Sequence, residues 1–199
     1  MIEFPVMEYF YSIQGEGVYT GQPAFFIRLG GCDVGCVWCD VKDSWDSDKH
    51  PKKSIAFLLA EAKKHPSRIL ILTGGEPAMY DLTEISKAFK NEGFRVHIET
   101  SGAYELIGDF DWVTFSPKKF KAPIASAAIQ ADELKVVVLN KSDIAWAESH
   151  QRIVPDRCKL YLQPEWDKRE VTEKIIFDYV LKNPNWFVSL QTHKYLGVD

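Results

Sequence analysis

The sequence holds no apolar run approaching the about 18 residues a membrane-spanning helix needs, and its first residues include Glu3 and Glu8 rather than the basic stretch of a secretory leader. Neither a membrane protein nor an exported one is expected, and the chain reads as cytoplasmic. An excess of positive charge is also missing: 24 Lys and Arg against 28 Asp and Glu leave a formal net charge of −4, and basic pairs such as Lys52-Lys53 and Lys118-Lys119 are short. Such a balance gives no reason to expect a nucleic acid partner. Cysteine is scarce, with four in 199 residues, three of them between positions 32 and 39. In a reducing compartment that crowding points to metal rather than to disulfides. Cys158 stands alone in an apolar run and reads as a core residue. Repeats and low-complexity stretches are absent.

What is present suits one buried core. With 46% hydrophobic residues, the chain is expected to form a single domain over 1–199. Strand-length apolar runs occur at Ala24 to Leu29, Ile69 to Leu72, Phe94 to Ile98, Trp112 to Phe115, Lys135 to Leu139 and Lys159 to Leu162, with a further one at Trp186 to Leu190. Most read as buried on both faces. Amphipathic helices are expected after Ser54, after Asp81 (with Glu84 completing a capping box) and from Thr172 to Lys182, whereas Pro117 to Ala131 should be partly irregular. The alternation predicts an α/β fold with a parallel sheet, open or barrel-like. Polar or glycine-rich segments follow the strands directly: Gly30-Gly31-Cys32, Thr73-Gly74-Gly75-Glu76-Pro77, Glu99-Thr100-Ser101-Gly102, Ser116-Pro117-Lys118 and Gln163-Pro164. At the carboxyl ends of parallel strands they converge on one pocket.

Cys32, Cys36 and Cys39 have C-x3-C-x2-C spacing on a loop opened by two glycines. Three thiolates can hold three irons of a [4Fe-4S] cluster and leave the fourth open for an exchangeable ligand. A closed zinc site would need a fourth ligand, and the nearest candidate, His50, lies eleven positions past Cys39. Unligated thiols are the third reading. Gly74 and Gly75 either form a tight strand-to-helix turn or let backbone approach a ligand closely, and Glu76-Pro77 would fix that turn.

The cysteine motif, with Trp38 before its last cysteine and Gly74-Gly75-Glu76-Pro77 after the next strand, resembles the radical S-adenosylmethionine superfamily. That resemblance implies a partial (β/α)6 TIM-like barrel, a [4Fe-4S] cluster on the three cysteines, and S-adenosylmethionine at the open iron. Tyr11 to Gly17, Gly21 to Ala24, Phe26 to Leu29, Cys36 to Asp40, Leu134-Lys135, Leu162 to Pro164 and Gln191 to Lys194 narrow it, since together they resemble the 7-carboxy-7-deazaguanine synthase family over almost the whole chain.

Membership would imply a carbon-nitrogen lyase that converts 6-carboxy-5,6,7,8-tetrahydropterin to 7-carboxy-7-deazaguanine and ammonia, a step toward queuosine and related 7-deazapurines. It implies cosubstrate binding by Trp38, Asp40, Gly74, Gly75, Glu76, Glu99 and Ser101, then by Ser116, Pro117, Lys118 and Gln163. Substrate binding would fall to Ile13, Gln14, Gly15 and Glu16, to Arg28 as a fork for a carboxylate, and to Thr73, His193 and Asp199. A flavodoxin-like electron donor and a homodimer follow from the same resemblance. One departure concerns Mg2+. Many members have Thr or Ser two positions after the last cysteine as its ligand, and here Val41 offers no oxygen. Either Asp40, Asp43, Ser44 or water substitutes, or the site works without that ion. Two other activities remain open: an activase making glycyl radicals on a partner protein, and a non-enzymatic electron-transfer protein.

Overall fold

Residues 2–198 are described by a computed structural model, and each strand expected from the sequence forms in it, with ends shifted by a few residues. In chain order the elements are β1 (Glu3–Ile13), β2 (Pro23–Leu29), β3 (Lys52–Ser54), α1 (Ile55–Ala62), β4 (Ile69–Gly74), α2 (Thr83–Asn91), β5 (Arg95–Thr100), β6 (Trp112–Phe115), α3 (Ala125–Ala128), β7 (Glu133–Val138), α4 (Ser142–Gln151), β8 (Lys159–Pro164), α5 (Arg169–Val180), β9 (Trp186–Val188) and α6 (Thr192–Leu196). They build one nine-stranded sheet ordered β3-β1-β2-β4-β5-β6-β7-β8-β9. From β2 through β4 to β9 the neighbours run parallel, while β1 and β3 are antiparallel additions. The order leaves β3 and β9 as edges, so the barrel stays open.

Four elements, β1, β3, α4 and α6, have no counterpart among the expected ones, and α3 lies in the stretch expected to be partly irregular. In β1 a bulge between Val6 and Glu8 interrupts the apolar alternation, and Pro5 lies within it. Only Lys-Lys-Ser makes β3. The buried stripe of α4 is Asp143, Ala147 and His150, two of them polar, so hydrophobic periodicity passes over it. The expected capping box at Asp81 is not what forms: its carboxylate accepts from Thr83 N at 2.9 Å, but the helix begins after Leu82, and Asp81 makes a local turn outside it. Helix α5 starts three residues earlier than expected because Glu165 accepts from Asp167 N at 3.3 Å and Lys168 N at 3.1 Å, ordering the turn that feeds it. No helix bridges β5 and β6 among the described residues.

Apolar residues on one face of the sheet meet the helices. Phe25, Ile27 and Leu29 of β2, Leu70 and Leu72 of β4, and Val96 and Ile98 of β5 pack on Leu58 of α1 and Ile85 and Phe89 of α2. On the other side of β6, Leu134, Val136 and Val138 of β7 join Cys158, Leu162, Ile176 and Trp186. Each such fully buried Leu or Ile contributes about 1.5–3 kcal/mol. The opposite face departs from the expectation of apolar burial on both sides. Successive strand residues alternate, and the inner positions include His97, Thr114, Glu133, Lys135 and Gln163, all buried and polar. A sheet lined this way inside needs every charge paired, which turns attention to its carboxyl end.

Candidate active site

Two strand-end loops are stitched together there. Gly75 N donates to Leu29 O at 3.0 Å and Glu76 N to Gly31 O at 2.9 Å, so the segment after β4 runs directly beneath the cysteine loop. A Cβ on Gly75 would collide with the carbonyl of Gly31 and stand 2.6 Å from the Cβ of Cys32. Close approach, more than a turn alone, therefore demands glycine here. The cysteine loop is also pinned from its far side, Gly31 N donating to Ser44 O at 2.6 Å and Cys32 N to Trp45 O at 3.1 Å. Glu76, 1% exposed, accepts from Thr100 Oγ1 at 2.7 Å, Ser101 N at 2.7 Å, Ala78 N at 3.0 Å and the Ser101 hydroxyl. Its carboxylate thus ties the end of β4 to the end of β5.

Above these loops opens a cavity of about 480 Å³. Cys32, Cys36 and Cys39 face it together with Trp38, Asp40, Gly74, Gly75, Glu76, Glu99, Ser101, Ser116, Lys118 and Gln163, and so do Ile13, Gln14, Gly15, Glu16, Arg28, Thr73 and His193. Segments 180 positions apart in the chain, those of Ile13 and His193, thus line one cavity. Pro117 is the exception: it lines a smaller neighbouring cleft, where its carbonyl accepts from Trp146 Nε1 at 3.4 Å. Asp199 lies outside the described residues.

Cys32, Cys36 and Cys39, three thiols of one loop, face the cavity together, a donor set that can hold three irons of a cubane. His50, the candidate fourth zinc ligand, packs against Gly30 and bonds the Asp43 carbonyl at 2.8 Å instead of facing the cavity. Burial pushes the Cys36 thiol up to about 11 and raises that of Cys32, so iron is what would strip their protons. Lys118 reaches over the Trp38 ring at 5.6 Å and donates to Ser116 O at 2.8 Å; burial lowers its pKa.

Across the cavity lies a polar network in which the carboxylate of Glu16 is fully engaged. Its Oε1 accepts from Gln163 Nε2 at 3.0 Å and Gln191 Nε2 at 2.9 Å, and its Oε2 pairs with the ammonium of Lys135. Lys135 also binds Glu99 at 2.8 Å, and Glu99 accepts from Gln14 Nε2 at 2.8 Å. Burial pushes Glu16 upward, but Lys135 outweighs it with help from Gln191, holding the carboxyl at about 2. Glu16 is thereby held in the cavity wall, and so is the Gln14 amide beside it, whose oxygen accepts from Glu16 N at 3.0 Å. Arg28 gives its Nε to Glu8 at 2.6 Å, so the Nη edge is the fork left for a ligand carboxylate. His193 sits on Gly15, whose Cβ would overlap its ring, and burial lowers its pKa, favouring neutral imidazole near pH 7.

Several cavity residues carry no role in the sequence reading. Lys135 is the chief one; its signal is that it and Glu133 put charges at inward positions of the otherwise apolar strand Glu133–Val138. Trp166 at the rim stacks with Arg169 at 4.4 Å and meets Tyr195 edge-on at 5.2 Å, and no local pattern marks it. Lys194 pairs with Asp40 at 2.7 Å, joining α6 to the residue after the last cysteine. Of the substitutes for the missing Mg2+ ligand, only Asp40 faces the cavity; Ser44 is buried with its hydroxyl on Val41 O at 2.6 Å.

Comparison with known proteins agrees with this layout. Residues 26–121 match the model of the radical SAM superfamily. A protein of Synechocystis sp. named 7-carboxy-7-deazaguanine synthase is 48% identical over 197 residues, covering 99% of this chain and 94% of its own. One of the same name from Flavobacterium psychrophilum is 50% identical, covering 98% and 92%. The crystal structure of QueE from Escherichia coli superposes with a TM-score of 0.86 at 33% identity, covering 96% of this chain and 95% of that one.

Proposed function

Because the chain belongs to the 7-carboxy-7-deazaguanine synthase family of radical SAM enzymes, with a [4Fe-4S] cluster and S-adenosylmethionine as its cofactors, we propose that the whole of 1–199 acts as one domain on 6-carboxy-5,6,7,8-tetrahydropterin, releasing 7-carboxy-7-deazaguanine and ammonia. The observation that carries the residue assignment is that the three cysteines and the Gln14–Arg28 wall share one cavity. Of the activities left open by the sequence, the relatives' names support this one.

Cys32, Cys36 and Cys39 hold the cluster. When bound, cluster and S-adenosylmethionine supply a 5'-deoxyadenosyl radical able to take the hydrogen from carbon 6 of the pterin. The remaining work belongs to side chains. Gly74 and Gly75 give backbone access to the methionyl end, held open by Glu76; Ser101, Ser116, Lys118 and Gln163 line the rest of that side. Arg28 offers its Nη edge to the pterin carboxylate, Gln14 and Glu16 form the wall at the polar ring edge with Glu99 toward the cosubstrate, and Thr73 and neutral His193 border the reacting carbon. Phe10, Phe26 and Ile71 line the cavity with apolar surface that excludes water. Mg2+, where used, would meet Asp40 and water, at the cost of the Lys194 pair. A flavodoxin-type donor, a homodimer and a cytoplasmic site accompany the family resemblance; among the described residues no helix is long and apolar enough to cross a membrane.

The test is anaerobic incubation of reduced, cluster-loaded enzyme with S-adenosylmethionine and the carboxylated tetrahydropterin. The deazapurine mass is expected with wild type and absent with Cys36→Ala. Product from the Cys36→Ala protein would refute the ligand assignment, and none from wild type would refute the substrate.

A further inference from the structure

Lys135 is 3% exposed, far below what a lysine tolerates without partners, and its two ion-pair partners come from distant segments: Glu16 from the loop after β1 and Glu99 from the end of β5. The bonds close a ring. Glu99 takes Gln14 Nε2 at 2.8 Å, the other end of the Gln14 amide accepts Glu16 N at 3.0 Å, and Glu16 returns to Lys135. Both ends of the Gln14 amide are thereby fixed, and with them the donor and acceptor it presents to the cavity. We infer that Lys135 is a positioning residue of the active site, which holds Glu16 and Glu99 together as carboxylates and so sets the Gln14–Glu16 segment in its ligand-binding geometry. This deepens the pterin reading and rests on it.

Other charges face the same point. Glu133 lies on the same strand, Lys118 follows β6 and His193 comes from α6, each electrostatically coupled to Lys135. Remove the ammonium and two carboxylates confront one another in a desolvated wall. One takes up a proton at low pH, and at higher pH their repulsion loosens Gln14.

The experiment uses cluster-loaded enzyme under anaerobic conditions without reductant and measures the equilibrium Kd for 6-carboxy-5,6,7,8-tetrahydropterin from pH about 6 to about 8, with KM and kcat from turnover. Lys135→Met is expected to raise Kd and KM about tenfold or more while kcat stays within about threefold, and the ratio of its Kd to that of wild type should grow with pH. Lys135→Met combined with Glu16→Gln removes the repulsion and should recover much of the affinity with a flat ratio. A Kd ratio near one across the range, or a double variant as weak and as pH-dependent as the single one, overturns the role. Should Lys135→Met not fold, the double variant decides alone: Kd within about tenfold of wild type supports the role, and loss of binding contradicts it. Failure of wild type to bind or convert the pterin would instead sink the substrate reading.

Discussion

Glu76 reaches from the loop after β4 to Ser101 at the end of β5, its Oε2 accepting the Ser101 amide at 2.7 Å and the Ser101 hydroxyl as well. The side chain written into the Gly-Gly-Glu-Pro segment is thus spent on structure. Glu76→Gln can satisfy only part of this set and leaves buried donors short of an acceptor. A loss of about 2–4 kcal/mol in unfolding free energy is expected from urea titration, with cluster loading impaired. A change below about 0.5 kcal/mol would mean the carboxylate is not the tie.

Gly75 makes the second prediction. A methyl there meets the Gly31 carbonyl and the Cys32 Cβ, both on the cluster loop and neither able to swing aside as a long side chain would. Gly75→Ala should keep the fold, since the loop rather than the core yields, but lower iron content and the visible cluster absorption after reconstitution. Full iron loading with normal S-adenosylmethionine binding would contradict the close approach.

These two positions illustrate how much of the site the sequence carried. The cysteine spacing and the glycine-rich strand ends are local signals with a direct mechanism, and the structure brings them to one cavity. The family resemblance assigns Glu16 to the substrate wall, where it lines the cavity, but its partners Lys135, Gln163 and Gln191 lie 119 to 175 positions away and leave no local trace. The same limit hid α4, whose buried face includes Asp143 and His150, and β1, whose bulge breaks the alternation. Periodicity reports apolar faces, and from β5 to β8 the inner face of this sheet carries His97, Thr114, Glu133, Lys135 and Gln163.

Arg28, proposed to bind the substrate and not the cofactor, allows the two to be told apart. With Nε on Glu8 at 2.6 Å, its remaining edge is what a carboxylate would meet. Arg28→Ala should raise KM for the carboxylated pterin about tenfold to a hundredfold with iron content unchanged, and Arg28→Lys should fall between, lacking the fork. Equal loss of substrate affinity and cluster would contradict the role.

Glu133 titrates near neutrality. Burial raises its pKa from 4.5 to about 7, against the pull of Lys135 and the Val18 amide, which donates at 2.9 Å. A raised carboxyl pKa means the folded chain holds a proton the unfolded chain has released, so stability falls as pH rises from about 4.5 to about 7 and stays low above it. Glu133→Gln keeps an oxygen for Val18 N and carries no charge. It should be more stable than wild type at pH about 8, by up to about 3 kcal/mol, and nearly equal to it at pH about 4.5. Chemical denaturation at both pH values checks this, and a variant less stable at pH about 8 would contradict it.

We propose, as the family resemblance implies, that this cavity runs a lyase reaction in which S-adenosylmethionine is returned at each turnover. Its most direct test is the ratio of 7-carboxy-7-deazaguanine formed to S-adenosylmethionine consumed, measured with limiting S-adenosylmethionine and excess 6-carboxy-5,6,7,8-tetrahydropterin under reducing, anaerobic conditions. The account predicts many product molecules, each with one ammonia, for every S-adenosylmethionine lost. One 5'-deoxyadenosine released per product, or 5'-deoxyadenosine without any deazapurine, would contradict it.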